Sequence, residues 1–428
     1  MQGLATDNAP SPGVVVPHFI FAAISFFILG ILMLFSGEYF LGYFFQPHLL
    51  AITHATALGW GTMIIFGALY QLIPVIFETA LFSEKLAKVT FWLFGFGIIF
   101  LVYSFWTGGF SSTLPYASGL VFIAITLFIT NVVLSIKKAE KKNIKSMFIG
   151  AATVWLWLTA LLGLLIALNY KFNFLSQTHI LYLKMHAHMG LAGWFLLLIM
   201  GAASTLIPMF LVSHQMNENK LKYAFYLINT GLLLLTIDWL FLHGTIFLPV
   251  YGIIITAGIF FFISYVHESY KKRLRRVLDV GMKHTMIAVI SIIIPVALGV
   301  LASVKQINLS SSLYWKTLIL YGFSILFVFI TSIILGQTYK TIPFIIWLDK
   351  YKDLIGKAKT PLPKELYSEK IADWQLYSYL LSIVVFFIGI IISNLYFIEA
   401  GSILLLITSI LYNINVFKII LHKPKSNE

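Results

Sequence analysis

The sequence contains no cysteine. That excludes disulfides, thiolate metal sites and iron–sulfur clusters. Charge is also scarce. Only 11% of the 428 residues are Asp, Glu, Lys or Arg, while 60% are hydrophobic and the mean hydropathy is +0.92. A soluble domain carries about 25% charged and about 45–50% apolar residues, so this chain lacks the polar surface to cover a water-soluble core. A basic leader is missing as well. Residues 1–15 are polar, with Pro and Gly, so the first apolar segment is expected to be a retained span and not a cleaved signal.

What is present is a series of long apolar runs. A span needs about 20 apolar residues, and runs between polar breaks predict twelve transmembrane helices. They lie near 16–37, 48–77, 86–107, 114–136, 146–168, 180–212, 221–243, 245–267, 284–304, 313–347, 374–396 and 398–421. The expected fold class is therefore all-α and polytopic, a single membrane domain over 1–428.

The net charge of +13 (29 Lys+Arg minus 16 Asp+Glu) sits in the loops between these runs, which argues for topology and against nucleic acid. Lys137, Lys138, Lys141, Lys142 and Lys145 follow the fourth span. Lys271, Lys272, Arg273, Arg275 and Arg276 follow the eighth, Lys350, Lys352, Lys357, Lys359 and Lys364 the tenth, and Lys423 and Lys425 the twelfth. The opposite loops hold little beyond Lys171, Lys184, Lys305 and Lys316. The positive-inside rule then puts both termini in the cytoplasm.

The second and sixth spans share landmarks in register. His54, Gly59, Trp60, Gly67 and Pro74 in one correspond to His188, Gly193, Trp194, Gly201 and Pro208 in the other, each pair 134 residues apart (188 − 54 = 134). The tenth span keeps the Gly336-to-Pro343 spacing, with Phe323 at the His position and Phe329 at the Trp position. Such coincidence predicts one supersecondary unit used three times, over about 16–136, 146–267 and 284–421, as three pseudo-symmetric sets of four helices.

Ionisable side chains inside a membrane are costly and usually functional. His54, His186 and His188 fall about one to two turns inside the outer boundary, Asp238 lies at similar depth, and His243 closes the seventh span. His186 and His188, two apart, point about 200° from each other and so serve two sites, not one ion. Asp238 is expected either to orient a histidine ring or to cap a local polar network. Trp60 and Trp194 lie deeper, suited to bundle packing or to a flat cofactor, and the glycines to close helix approach or to a porphyrin plane. His18 and His284 head their spans and read as interfacial.

The stretch His186-Ala-His188-Met-Gly190-Leu-Ala-Gly193-Trp194, followed by Gly201 and Pro208, resembles the His-x-His helix of the heme–copper oxidase superfamily's catalytic subunit. The C-type oxidases and nitric oxide reductases are most similar. In that family the helix puts one His on a high-spin heme and the other on a low-spin heme. Phe66-Gly67-Ala-Leu-Tyr70-Gln-Leu-Ile-Pro74 resembles the continuation of the same helix, and His54 resembles the low-spin heme ligand of the second span. The likeness follows the topology of the whole chain and is sharp across about 48–92 and 184–210.

The resemblance implies twelve spans in three four-helix arcs with heme toward the outer face. It implies heme b, with His54 and His188 as axial ligands and His186 as ligand to a second heme or metal. Trp60 and Trp194 would flank the cofactor, and Asp238 and His243 are subsidiary metal candidates. Three departures count against a full heme-plus-copper centre. The family's His-x-His lies on the tenth span, the seventh span lacks the paired copper-binding histidines, and the usual propionate-anchoring arginine pair is missing.

The family's chemistry is reduction of oxygen or nitric oxide with electrons from quinol or cytochrome c, in a bacterial inner membrane and often beside other membrane subunits. Two rivals remain: a non-enzymatic, NnrS-like heme protein of the nitric oxide response or a sensor, and a transporter using its intramembrane histidines.

Overall fold

The computed structural model describes residues 8–138, 143–242, 247–303, 311–355 and 357–424. Among these residues lie twelve helices long and apolar enough to cross a membrane, as expected. They are α1 (Pro12–Leu34), α2 (Pro47–Phe77), α3 (Glu84–Trp106), α4 (Leu114–Lys137), α5 (Ile144–Phe172), α6 (His179–Leu211), α7 (Asn219–Leu242), α8 (Leu248–Lys271), α9 (Val280–Ser303), α10 (Ser312–Leu354), α11 (Glu369–Ile392) and α12 (Leu395–Ile420). The described residues contain no strand. The chain is an integral membrane protein.

Helix starts are set by side chains that satisfy the first backbone N–H groups, which would otherwise lack partners. Asn143 and Ser146 form a reciprocal capping box on α5, with Ser146 N donating to Asn143 Oδ1 at 2.8 Å. Asp279 accepts from Met282 N at 3.0 Å to open α9, and Asn394 accepts from Phe397 N at 3.3 Å to open α12. Ser368 caps α11 and starts it several residues before the apolar run that marks it in the sequence.

Two compact units emerge. One holds Gln71–Val277 and Val296–Ser310, and in it α3, α4, α5 and α6 pair in succession while α7 and α8 form an antiparallel pair. The other holds Pro10–Tyr70, Leu278–Pro295 and Ser311–Glu428. There α11 packs along α12, α12 along α1, and α9 along α10.

Three helices stand apart in burial. Over their most apolar windows α2, α6 and α10 are 78%, 72% and 78% buried, against 28–50% for the other nine. These three share a second property, a stretch of π-helix. It spans Ala55–Thr62 in α2, Met189–Leu196 in α6 and Ser324–Ile330 in α10, and a shorter one, Asp238–Leu242, ends α7. The first three begin immediately after His54, His188 and Phe323, the positions that share a register in the sequence. π-Helical turns within α-helices occur mostly at functional sites.

Candidate functional site

His54 and His188 are held alike. In each, Nδ1 meets the carbonyl oxygen one turn earlier, His54 to Leu50 O at 2.8 Å and His188 to Lys184 O at 2.8 Å. In a neutral imidazole that bond puts the proton on Nδ1 and the lone pair on Nε2, the tautomer a metal or heme iron requires. Both rings are half-buried, although their helices are among the most buried of the twelve. Their neighbours one turn on, Ala57 and Leu58 beside His54 and Leu191 and Ala192 beside His188, are half-buried as well. The two histidines thus present matching strips of half-buried side chains, one alanine and one leucine beside each.

The corresponding place in α10 is filled. Phe323 is buried and stacks on Phe327, with ring centroids 4.7 Å apart, and on Phe386 at 4.4 Å with the planes 5° from parallel. Leu326 and Phe327, equivalent to the accessible residues of α2 and α6, are buried too. An aromatic stack of this kind occupies the space that His54 and His188 leave accessible.

His186 points away from His188, as the two-residue spacing requires. Its Nδ1 lies 2.9 Å from Thr159 O on α5, and its ring rests over Gly163, where a Cβ would come within 2.8 Å of Cε1. His188 instead faces α7, with its ring edge toward Trp239 at 5.1 Å. Asp238 is buried and accepts a hydrogen bond from Tyr251 Oη at 3.4 Å. His243 lies outside the described residues. Among the described residues no three His, Asp or Glu side chains gather to hold a metal ion.

The tryptophans are surrounded by protein. Trp60 has no accessible surface; it stacks on Phe26 at 4.6 Å, meets Tyr412 edge-on, and donates to Thr331 Oγ1 at 3.2 Å. Trp194 is as deeply buried and lies edge-on to Phe128. The shared glycines are also spent on helix contact. A Cβ on Gly67 would meet His18, one on Gly193 Trp155, and one on Gly201 Phe148, all closer than 3.0 Å. The glycines therefore bring helices together, which is the first of the two roles expected of them.

Two histidines are placed differently from expectation. His18 and His284 read as interfacial, yet both are completely buried. The cause is helix length and facing: α1 begins at Pro12 and α9 at Val280, so each ring sits more than a turn inside its helix. Each also faces a glycine of a neighbouring helix, Gly67 for His18 and Gly336 for His284. Equal spacing to these glycines from His54 and Phe323 (67 − 54 = 336 − 323) was the available signal in the sequence.

No family model matches this sequence, and no curated protein matches it. Among solved structures, the chain is similar to one described as a cryo-EM structure of a heme-copper terminal oxidase dimer. The TM-score is 0.68 at 11% sequence identity, covering 97% of this chain and 85% of that one. At that identity the likeness is one of fold.

Proposed function

We propose that this chain, a membrane protein with a heme–copper oxidase-like fold, binds a b-type heme through His54 or His188 and takes part in respiratory electron transfer. One observation carries the reading: both rings have Nδ1 tied to the preceding turn and lie beside half-buried alanine and leucine side chains, while the third equivalent position holds the buried Phe323. The residues fit an axial ligand, because the bonded Nδ1 sets the tautomer and the ring orientation. His186 has its Nδ1 bonded in the same way, to Thr159 O on α5, and faces away from His188, so it would serve a second heme or metal. When bound, heme supplies one-electron chemistry at iron, with a potential set by the axial imidazole and by burial.

Within this reading the chain's own groups have defined tasks. The carbonyls of Leu50 and Lys184 orient the two rings. Oxygen or nitric oxide reduction, with quinol or a c-type cytochrome as donor, is the chemistry that such a fold suggests for a catalytic form. A heme protein without catalysis, serving as carrier or sensor, is the second reading.

The test is a reduced-minus-oxidised absorption spectrum of the purified chain. A Soret and an α band are expected, lost or shifted in His54→Ala or His188→Ala while Trp60→Phe keeps them. A featureless spectrum would sink the heme reading and promote transport through the intramembrane histidines. Heme without oxygen or nitric oxide turnover would select the second reading.

A further inference from the structure

Three buried polar atoms on α9 and α11 have no hydrogen-bond partner: Nδ1 and Nε2 of His284 and Nε2 of Gln375. His284 and Gln375 have no accessible surface at all. A shared neighbour brings the two residues together. The His284 ring lies 5.6 Å from that of Tyr379, which is one helical turn beyond Gln375 on the same face of α11.

The amide orientation of Gln375 follows from its partners. Tyr339 Oη accepts from Asn415 Nδ2 at 3.2 Å, so its own proton goes to Gln375 Oε1. The amino group of Gln375 is therefore the half left over. A neutral imidazole carries one N–H and one lone pair, so the three atoms are donors and acceptors together. That mixture suits a molecule able both to give and to take hydrogen bonds.

We infer that His284 and Gln375 wall a buried polar pocket that holds a small cluster of water molecules. A dry pocket would leave all three groups unsatisfied, a combined penalty comparable with the net stability of a fold. Immobilising a water costs less than leaving one such group bare, and buried waters characteristically bridge two to four polar atoms. A metal ion is a poorer occupant, because one amide and one imidazole supply no negative charge.

Hydroxyl-radical footprinting of the full chain in lipid nanodiscs, read by mass spectrometry, tests this, because radicals formed in bound water label the side chains beside it. After correction for intrinsic reactivity, Tyr379 should be labelled at least about fivefold faster than Phe26, an equally buried ring stacked on Trp60. His284→Phe and Gln375→Leu should each cut Tyr379 labelling severalfold and leave Phe26 unchanged. Equal labelling of Tyr379 and Phe26 in the native chain would overturn the pocket, whether or not the variants fold. Fast labelling that persists in both variants would overturn its assignment to these residues.

Discussion

At the scale of single residues, the glycines separate those that join helices from those that merely lie on one. A Cβ on Gly336 would stand 2.5 Å from the carbonyl oxygen of Gly281 and 2.9 Å from His284 Cβ, and neither backbone nor buried ring can yield. A Cβ on Gly150 would meet nothing within 4 Å. Gly336→Ala is therefore expected to destabilise the protein by about 1–3 kcal/mol, the usual cost of overpacking. Gly150→Ala should leave stability unchanged or raise it by up to about 1 kcal/mol through helix propensity. Thermal midpoints of the two purified variants check the contrast; a Gly336→Ala midpoint equal to the parent's would show that α9 and α10 are not in such close contact. Residue-scale function was only partly legible in the sequence. His54 and His188 announce themselves because a costly side chain recurs at one spacing. His284 does not, because a histidine near a helix start has the same local composition whether it faces headgroups or a neighbouring helix.

At the scale of elements, helix count and register were legible and winding was not. Apolar length alone locates twelve spans, and the His–Gly–Trp–Gly–Pro spacing aligns α2 with α6. The π-helical stretches escaped notice, since Ala55–Thr62 and Met189–Leu196 use residues equally at home in an α-helix. What selects the wider winding is packing around the helix, which composition does not encode. The apolar run does place the end of α6, within one residue, but not how the chain leaves it. Val212 there has φ of +53°, the left-handed region that a β-branched residue rarely occupies. It is held because Ser213 N donates to Pro208 O at 2.9 Å and Leu274 N to Val212 O at 3.3 Å, which turns the chain sharply out of the helix. The side chain itself is exposed and offers little packing in return. Val212→Gly should relieve about 1–2 kcal/mol of left-handed strain and raise the thermal midpoint, with Val212→Asn intermediate. A lower midpoint for the glycine variant would mean that the valine side chain contributes more than its conformation costs.

At the scale of the whole molecule, the charge that the sequence does possess is concentrated where it can fix topology. The segment after α8 is tied down by its own ionic contacts. Glu268 accepts from Lys220 Nζ and Lys272 Nζ, both at 2.8 Å, and Lys272 also reaches Gln215 O at 2.7 Å. The segment between α10 and α11 carries Lys357, Lys359 and Lys364, whereas that between α5 and α6 has no Lys or Arg from Asn173 to Thr178. If lysines and arginines are retained on the cytoplasmic side, these two segments lie on opposite faces of the membrane. The absence of cysteine makes the question unusually clean, because any single introduced thiol is the only one in the chain. Ser176 and Lys357 are both exposed and suit such replacement. In intact cells, Ser176→Cys should react with a membrane-impermeant maleimide, and Lys357→Cys should react only after the membrane is permeabilised. The reverse pattern would place the termini outside and move His54 and His188 toward the cytoplasmic face. Labelling of both in intact cells would put the two segments on one side and break the twelve-span topology on which the shared register of α2 and α6 depends.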